Sequence, residues 1–126
     1  IYKSLESQNF ESGSNDEIYA LVGNNVIIGG LGEDSIETGA GIDSIIGDRG
    51  KIEFNKMLPE TLESMDTIDS ANNGDTIKAG NGNNVVIGGL GNDSITTGTG
   101  DDVVVGETHS MAAGCSCVLL YCTAQH

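Results

Sequence analysis

The chain has 126 residues, with 19 acidic and 5 basic side chains and a formal net charge of −14 at pH 7. The chain contains 19 glycines and no tryptophan, and only 4% of its residues are aromatic, which predicts one domain with a thin core. An acidic surface of this kind excludes nucleic acid as a partner and disfavours adsorption to anionic membranes. Self-repulsion at this charge also opposes compaction.

Residues 1–10 fit no pattern and are interpreted as an N-terminal edge or cap. Residues 11–105 repeat every nine positions, and an apolar residue occupies the eighth place of each unit. These apolar positions are Ile18, Ile27, Ile36, Ile45, Phe54, Ile68, Ile77, Val86, Ile95 and Val104, with one step of fourteen residues. Fixed self-similarity of this kind is typical of stacked repeat architectures, so it outweighs local propensity.

Polar residues follow the same period. The sixth place is usually an acid, namely Asp16, Asp34, Asp43, Asp66, Asp75, Asp93 and Asp102. Asn25 and Asn84 occupy that place in two further units. The fourth place holds glycine in six units, at Gly23, Gly32, Gly41, Gly82, Gly91 and Gly100. Six residues rich in Gly, Asn and Asp favour a turn, because these residues tolerate positive φ.

The remaining three residues of each unit predict a short strand with its middle residue on one face. A unit with one buried aliphatic residue is not stable alone, whereas stacked units bury a continuous column. We therefore expect an all-β fold, a parallel β-roll (a β-solenoid) of stacked nine-residue turn-strand units. Two units make one coil, so the short strands form two facing sheets.

The best copies are Gly29-Gly30-Leu31-Gly32-Glu33-Asp34-Ser35-Ile36-Glu37 and the unit from Gly88 to Thr96. Both fit G-G-x-G-x-D-x-U-x, so the chain resembles the repeats-in-toxin (RTX, haemolysin-type) calcium-binding proteins over residues 11–105. The resemblance implies the parallel β-roll and several bound Ca²⁺ ions. It also implies that one ion bridges each turn and the next turn on the same side, two units along.

Calcium takes six to eight oxygens from carboxylates, backbone carbonyls and water. The predicted carboxylate or amide ligands are the sixth-place Asp residues together with Asn25 and Asn84. The predicted turn glycines of the sites are Gly29, Gly32, Gly41, Gly82, Gly88, Gly91 and Gly100. One side of the roll is expected to hold Asp16, Asp34, Ile52, Asp75 and Asp93, and the other Asn25, Asp43, Asp66, Asn84 and Asp102. The best sites are expected at the pairs Asp16/Asp34, Asp43/Asp66 and Asp75/Asp93, and weaker ones where Asn replaces Asp.

The middle of the repeat is irregular. Ile52 interrupts its column of acids, and the same turn contains Arg49 and Lys51, so we interpret this turn as metal-free. Residues 20–47 and 79–106 are related at an offset of 59, which is six units plus five residues. Those five residues lie near Pro59, which cannot donate to a strand ladder. They predict an insertion loop near residues 55–61.

The two sheets differ in their outward residues. One outer face is polar, whereas the other carries Val26, Ile28, Ile46, Val85, Ile87, Val103 and Val105. Contiguous exposed apolar surface usually marks a contact. We therefore expect this face to be covered by another copy of the chain, a neighbouring domain or the C-terminal tail. The alternative is that β-branched residues are there only because they favour strands.

Residues 106–126 form an irregular tail that contains all three cysteines. Cys115, Cys117 and Cys122, with His109 or His126, suggest either a zinc site or a disulfide with one remaining thiol. The C-x-C spacing is not the usual zinc pattern. The apolar run 118–121 is too short to span a membrane.

No catalytic motif is apparent, and we expect the chain not to be an enzyme. The preferred interpretation is a calcium-binding module that folds on Ca²⁺ binding and is part of a secreted or cell-surface protein. The alternative is a structural, adhesive or fibre-forming array that assembles through the apolar sheet. A disordered Gly/Asn/Asp linker is the third interpretation, and it predicts no response to calcium.

Overall fold

The computed structural model describes residues 4–6, 13–55, 58–64, 74–107 and 120–122. Every regular element in these residues is a β-strand. The strands are β1 (Ser4–Glu6), β2 (Glu17–Ala20), β3 (Val26–Ile28), β4 (Ser35–Thr38), β5 (Ser44–Ile46), β6 (Gly50–Asn55), β7 (Leu58–Ser64), β8 (Thr76–Ala79), β9 (Val85–Gly89), β10 (Ser94–Thr97), β11 (Asp102–Glu107) and β12 (Leu120–Cys122).

Strands of the repeat alternate between two parallel sheets. The first sheet has the order β10-β8-β4-β2, and the second has the order β12-β11-β9-β5-β3. All pairings among the repeat strands are parallel. Each coil therefore contributes one strand to each sheet, and four coils are stacked. The expected β-roll is confirmed.

The core lies between the two sheets and consists of the eighth-place residues. Strand register aligns them into two columns, which are Ile18, Ile36, Ile77 and Ile95 in the first sheet and Ile27, Ile45, Val86 and Val104 in the second. Ile36, Ile45, Ile77 and Val86 are almost completely buried. Burial of each such side chain contributes about 1.5–3 kcal/mol, so stacking supplies what a single unit lacks.

The middle of the chain leaves the roll. Strand β4 pairs directly with β8, and β5 pairs directly with β9. Strands β6 and β7 instead form an antiparallel hairpin, and β1 pairs with the outer edge of β6. Asn55 and residues 58–61, near the expected insertion loop, belong to the hairpin strands.

This hairpin corrects the sequence interpretation at two residues. Phe54 is not an eighth-place residue of a coil, and Ile52 is not part of a turn in the acid column, because both lie in β6. The segment Lys51-Ile52-Glu53-Phe54 alternates polar and apolar residues, a two-residue period that suits a hairpin strand with one buried face. Ile68 and Asp66 lie outside the described residues.

The hairpin packs on the outer face of the second sheet. Ile52 forms a buried cluster with Ile46 and Ile87. The partly buried residues packed against this cluster are Val26, Ile28, Phe54, Leu62 and Val105. We expected another copy, a neighbouring domain or the tail to cover this face, but at Ile46 and Ile87 the cover is the chain's own hairpin. In the tail, β12 pairs antiparallel with β11 and so extends the edge of the second sheet.

Candidate metal-binding turns

Glycine conformation shapes the turns between the strands. All six fourth-place glycines have positive φ, namely Gly23, Gly32, Gly41, Gly82, Gly91 and Gly100. At Gly32, for example, φ is 127° and a Cβ atom would collide with the backbone of Ser14 in the preceding coil. Both features require glycine, because L side chains rarely adopt this conformation and no room for one exists. The turns of successive coils therefore stack closely.

The first-place glycines of two turns lie against the sixth-place carboxylates. A Cβ atom at Gly29 would lie 2.7 Å from Oδ2 of Asp34, and one at Gly88 would collide with the carboxylate of Asp93. The first-place glycines thus make room for the sixth-place carboxylates of their own turns. This places Gly29 and Gly88 next to the carboxylates with which the sequence grouped them.

One edge of the roll, here called the acid edge, stacks Asp16, Asp34, Asp75 and Asp93. Oδ1 of Asp34 accepts the backbone N–H of Asp16 at 2.9 Å. Oδ1 of Asp75 accepts the N–H of Asp34 at 2.8 Å, and Oδ1 of Asp93 accepts the N–H of Asp75 at 2.9 Å. The expected neighbours Asp16/Asp34 and Asp75/Asp93 are adjacent. The contact between Asp34 and Asp75 was not predicted, because Ile52 was expected between them.

The opposite edge, here called the mixed edge, stacks Asn25, Asp43, Asn84 and Asp102. Oδ1 of Asp43 accepts the N–H of Asn25, Oδ1 of Asn84 accepts that of Asp43, and Oδ1 of Asp102 accepts that of Asn84, at 2.8–2.9 Å. The prediction that Asp43 and Asp66 occupy successive turns is wrong, because Asp43 contacts Asn84 directly. Strands β6 and β7 lie between these two residues in the chain, and Asp66 is outside the described residues.

Burial makes these carboxylates energetically costly. Asp34, Asp43, Asp75 and Asp102 are at most 2% exposed. Oδ2 of Asp34, Asp43 and Asp102 is buried and accepts no hydrogen bond within the described part of the chain. An ionised carboxylate in such surroundings costs several kcal/mol unless a cation or a donor compensates it.

The pKa of Asp34 also shows that its charged form is costly in the folded chain. Burial raises the pKa of Asp34 from 3.8 to about 6, and repulsion from Asp16 adds to the increase. The hydrogen bond from the N–H of Asp16 opposes it by stabilising the charged form. The carboxylate is thus held in a position that disfavours its charge, and a bound cation would reverse that preference.

The donor set fits a hard cation. The available ligands are carboxylate oxygens and the carbonyl oxygens of glycine-rich turns, which are the ligands that Ca²⁺ prefers. Within the described ranges, no three His, Cys, Asp or Glu side chains converge on one point. A cation at these turns would have to complete its shell with other oxygens, such as backbone carbonyl oxygens. A softer transition metal has no His or Cys cluster to bind there.

Several polar residues in the turns were missed by the sequence analysis. Asp48 is completely buried where the chain leaves the roll, and its Oδ2 accepts the N–H of Leu90 at 2.6 Å. Four asparagines stack in the same way, because each Oδ1 accepts an N–H from the next coil at 2.8–2.9 Å; these are Asn15, Asn24, Asn81 and Asn83. The signal available for three of them was asparagine at the fifth place, directly before the sixth-place residue.

The tail residues considered for zinc or a disulfide are largely outside the structure's described ranges. Cys115, Cys117, His109 and His126 are among the undescribed residues, and Cys122 belongs to β12.

The fold and the turns together define a β-roll whose stacked turns present buried carboxylates to a cation. The model of the RTX calcium-binding nonapeptide repeat, which has 4 copies, matches residues 12–45 and 66–107. The chain therefore belongs to the RTX calcium-binding repeat family, and its repeats form a calcium-binding module. The comparisons with curated proteins and with solved structures gave no match. The unmatched residues 46–65 contain the hairpin.

Proposed function

We propose that this module folds when Ca²⁺ binds between successive turns. The observation that carries the proposal is the set of buried carboxylates whose second oxygen accepts no hydrogen bond from described residues, at Asp34, Asp43 and Asp102. In a chain of net charge −14 these groups oppose folding unless cations compensate them. A site that exists only in the folded chain converts binding free energy into folding free energy.

The residues proposed to hold the ions follow from the stacking. On the acid edge, each step between coils stacks one aspartate on the next, and the backbone N–H of the first donates to the carboxylate of the second, at Asp16/Asp34, Asp34/Asp75 and Asp75/Asp93. Each bound Ca²⁺ would cancel two charges and link two coils, and carbonyl oxygens of turns containing Gly29, Gly32, Gly88 and Gly91 would complete the shell. On the mixed edge, Asp43 and Asp102 supply carboxylates near Gly41 and Gly100.

We further propose that the module belongs to a secreted or cell-surface protein and is not itself an enzyme. Calcium modules that act outside the cell bind with dissociation constants of about 10⁻⁴–10⁻³ M, so they stay unfolded where calcium is scarce. The RTX repeat is a structural calcium-binding element, and the polar groups described above are used in stacking. No helix in the described ranges is long and apolar enough to cross a bilayer.

Assembly through the apolar sheet is the weaker proposal. The chain's own hairpin already packs on Ile46 and Ile87, so the central part of that face is occupied. Self-association would have to use the parts of this face around the hairpin, where the expected contact residues are Val26, Ile28, Val85, Val103 and Val105.

A calcium titration of the whole chain tests the proposed function. Circular dichroism in EGTA should show little β signal, and added Ca²⁺ should restore it together with a large rise in Tm. The same concentration of Mg²⁺ should be far less effective, because Mg²⁺ demands a smaller and nearly ideal octahedral site. Equal β signal and equal Tm in EGTA and in millimolar Ca²⁺ would contradict the proposal.

A further inference from the structure

Two turns of the mixed edge carry asparagine where the other described turns carry aspartate. Nδ2 of Asn84 donates to the carbonyl oxygens of Gly80 and Gly82, at 2.9 and 3.3 Å. Nδ2 of Asn25 donates to the carbonyl oxygens of Leu21 and Gly23, at 3.0 and 3.2 Å. In both turns the amide contacts the second-place and fourth-place carbonyls. The two instances come from the two copies of the 59-residue duplication and have the same geometry.

These carbonyls are the ligands that a cation would need. An ionised aspartate at the sixth place can only accept hydrogen bonds, so it leaves the carbonyls of its turn available to a cation. Asparagine carries an oxygen and an NH₂ group on the same frame. Its NH₂ group points N–H donors at the carbonyl oxygens of the turn. The positive end of the amide dipole therefore lies where, in the turns with aspartate, a cation is proposed to bind.

The orientation of the Asn84 amide is held from both sides. Its Oδ1 accepts the N–H of Asp43 at 2.9 Å, while its Nδ2 contacts the carbonyls. A rotation that exchanged the two atoms would place NH₂ against N–H and oxygen against carbonyl oxygen, which loses every one of these hydrogen bonds. Asn84 is also 1% exposed, so water cannot compensate the loss.

The Asn25 amide makes one further contact that supports this role. Its Nδ2 donates to Oδ1 of Asp43 at 2.9 Å, the same oxygen that accepts the backbone N–H of Asn25. Asn25 thereby provides two donors, its backbone N–H and one side-chain N–H, to a fully buried carboxylate in the next coil, and its two side-chain N–H groups are shared among three oxygens. Part of the negative charge on the mixed edge is thus compensated by the protein itself.

We propose that the side-chain amides of Asn25 and Asn84 replace a calcium ion in their turns. These two turns close without metal, and calcium is restricted to turns with aspartate at the sixth place. The roll therefore has a calcium-dependent acid edge and a mixed edge whose first and third turns are preformed. This inference rests on the proposed function, and it revises the expectation that Asn25 and Asn84 are weak calcium ligands.

The test replaces Asn84 with aspartate and counts bound ions. Equilibrium dialysis against ⁴⁵Ca²⁺ should show about one additional ion per chain in Asn84→Asp compared with the unsubstituted protein. The calcium concentration at the midpoint of folding should rise, because the amide hydrogen bonds are lost, whereas saturating calcium should restore the β signal. The matched control is Asn83→Asp, which adds the same charge to the same turn at an exposed position whose Oδ1 accepts the N–H of Asp101. The control should bind no additional ion.

Asn84→Ala separates the amide role from a ligand role. If the amide replaces the ion, the number of bound ions stays unchanged, the calcium concentration at the midpoint of folding rises and the Tm in saturating calcium falls. A decrease in bound ions would show that Asn84 is a ligand and would overturn the inference. An unchanged count in Asn84→Asp, or failure of that variant to fold in millimolar calcium, would also overturn it. Absence of calcium binding in the unsubstituted protein would instead refute the proposed function.

Discussion

Replacing Asp34 with asparagine should change stability in opposite directions with and without calcium. Asp34 is 2% exposed, and its Oδ1 accepts the N–H of Asp16, a hydrogen bond that an asparagine oxygen can retain. The substitution therefore removes the charge and little else. Without calcium the charge is a cost, whereas with calcium it is a ligand.

The magnitude without calcium follows from the pKa. One pKa unit corresponds to about 1.4 kcal/mol, so a pKa of about 6 in place of 3.8 corresponds to a cost of up to about 3 kcal/mol at neutral pH. Asp34→Asn should recover up to that amount in EGTA. The new amide can also donate to the carbonyls of its turn, as Asn84 does.

The magnitude with calcium follows from linkage. An ion present at a hundredfold excess over its dissociation constant stabilises the folded state by about 2.7 kcal/mol. Asp34 contacts both the preceding and the following turn of the acid edge, through Asp16 and Asp75. Loss of both adjoining sites would therefore remove up to about 5 kcal/mol from the free energy of unfolding in calcium.

Urea unfolding at pH 7.5 in millimolar calcium measures the loss. In EGTA the gain is measured with trimethylamine N-oxide, an osmolyte that favours folded states: Asp34→Asn should need a lower concentration of it to show β signal. The control is Glu33→Gln, which removes one charge from an exposed position in the same turn and should change little in either condition. A change of the same sign in both conditions would refute the reasoning, as would equal effects of Asp34→Asn and Glu33→Gln.

Three further predictions concern pH, the turns and the hairpin. The calcium-free chain should gain β signal as the pH falls from 7 to 4, because protonation of Asp34, with a pKa raised to about 6, removes a charge that is costly only in the folded state. An unchanged or lower β signal by circular dichroism over that range would contradict this. Gly32→Ala should lower the free energy of unfolding by at least about 1 kcal/mol, because φ is 127° and Ser14 leaves no room for Cβ. Urea unfolding in calcium measures this decrease, and Ala40→Gly, at an exposed turn position, is the control. Ile52→Ala should cost about 2–5 kcal/mol and increase binding of a hydrophobic dye, because Ile52 is fully buried in a cluster with Ile46 and Ile87; unchanged stability would show that the hairpin is not packed on the roll.

Local repetition explains why the coils could be predicted. Each eighth-place residue lies opposite another that is eighteen positions away, as Ile18 lies opposite Ile36. The turn glycines, the sixth-place residue and the aliphatic residue recur at the same places in each unit. Equivalent residues of adjacent coils therefore lie next to each other. The identity of the acid-edge residues Asp16, Asp34, Asp75 and Asp93 follows from the same pattern.

The sequence pattern could not predict which two coils stack on each other on either side of the hairpin insertion. Asp34 and Asp75 are 41 positions apart, 23 more than the 18 that separate Asp16 from Asp34. Loop closure depends only weakly on loop length, so the sequence pattern does not reveal which units are omitted from the stack. The apparent continuation of the period through Phe54 therefore led to the wrong neighbours for Asp34 and Asp43.

The period of nine residues by itself determined the all-β roll, its two aliphatic columns and the turns that carry the carboxylates, because these features depend on contacts between adjacent coils. Only the tertiary structure decided that strands β6 and β7 form a hairpin over Ile46 and Ile87, and that Asp75 and Asn84 directly follow Asp34 and Asp43 in the stack. It also decided which atom of each asparagine amide faces the carbonyls. The physical reason is that these arrangements depend on burial and on hydrogen-bond geometry between residues far apart in the chain.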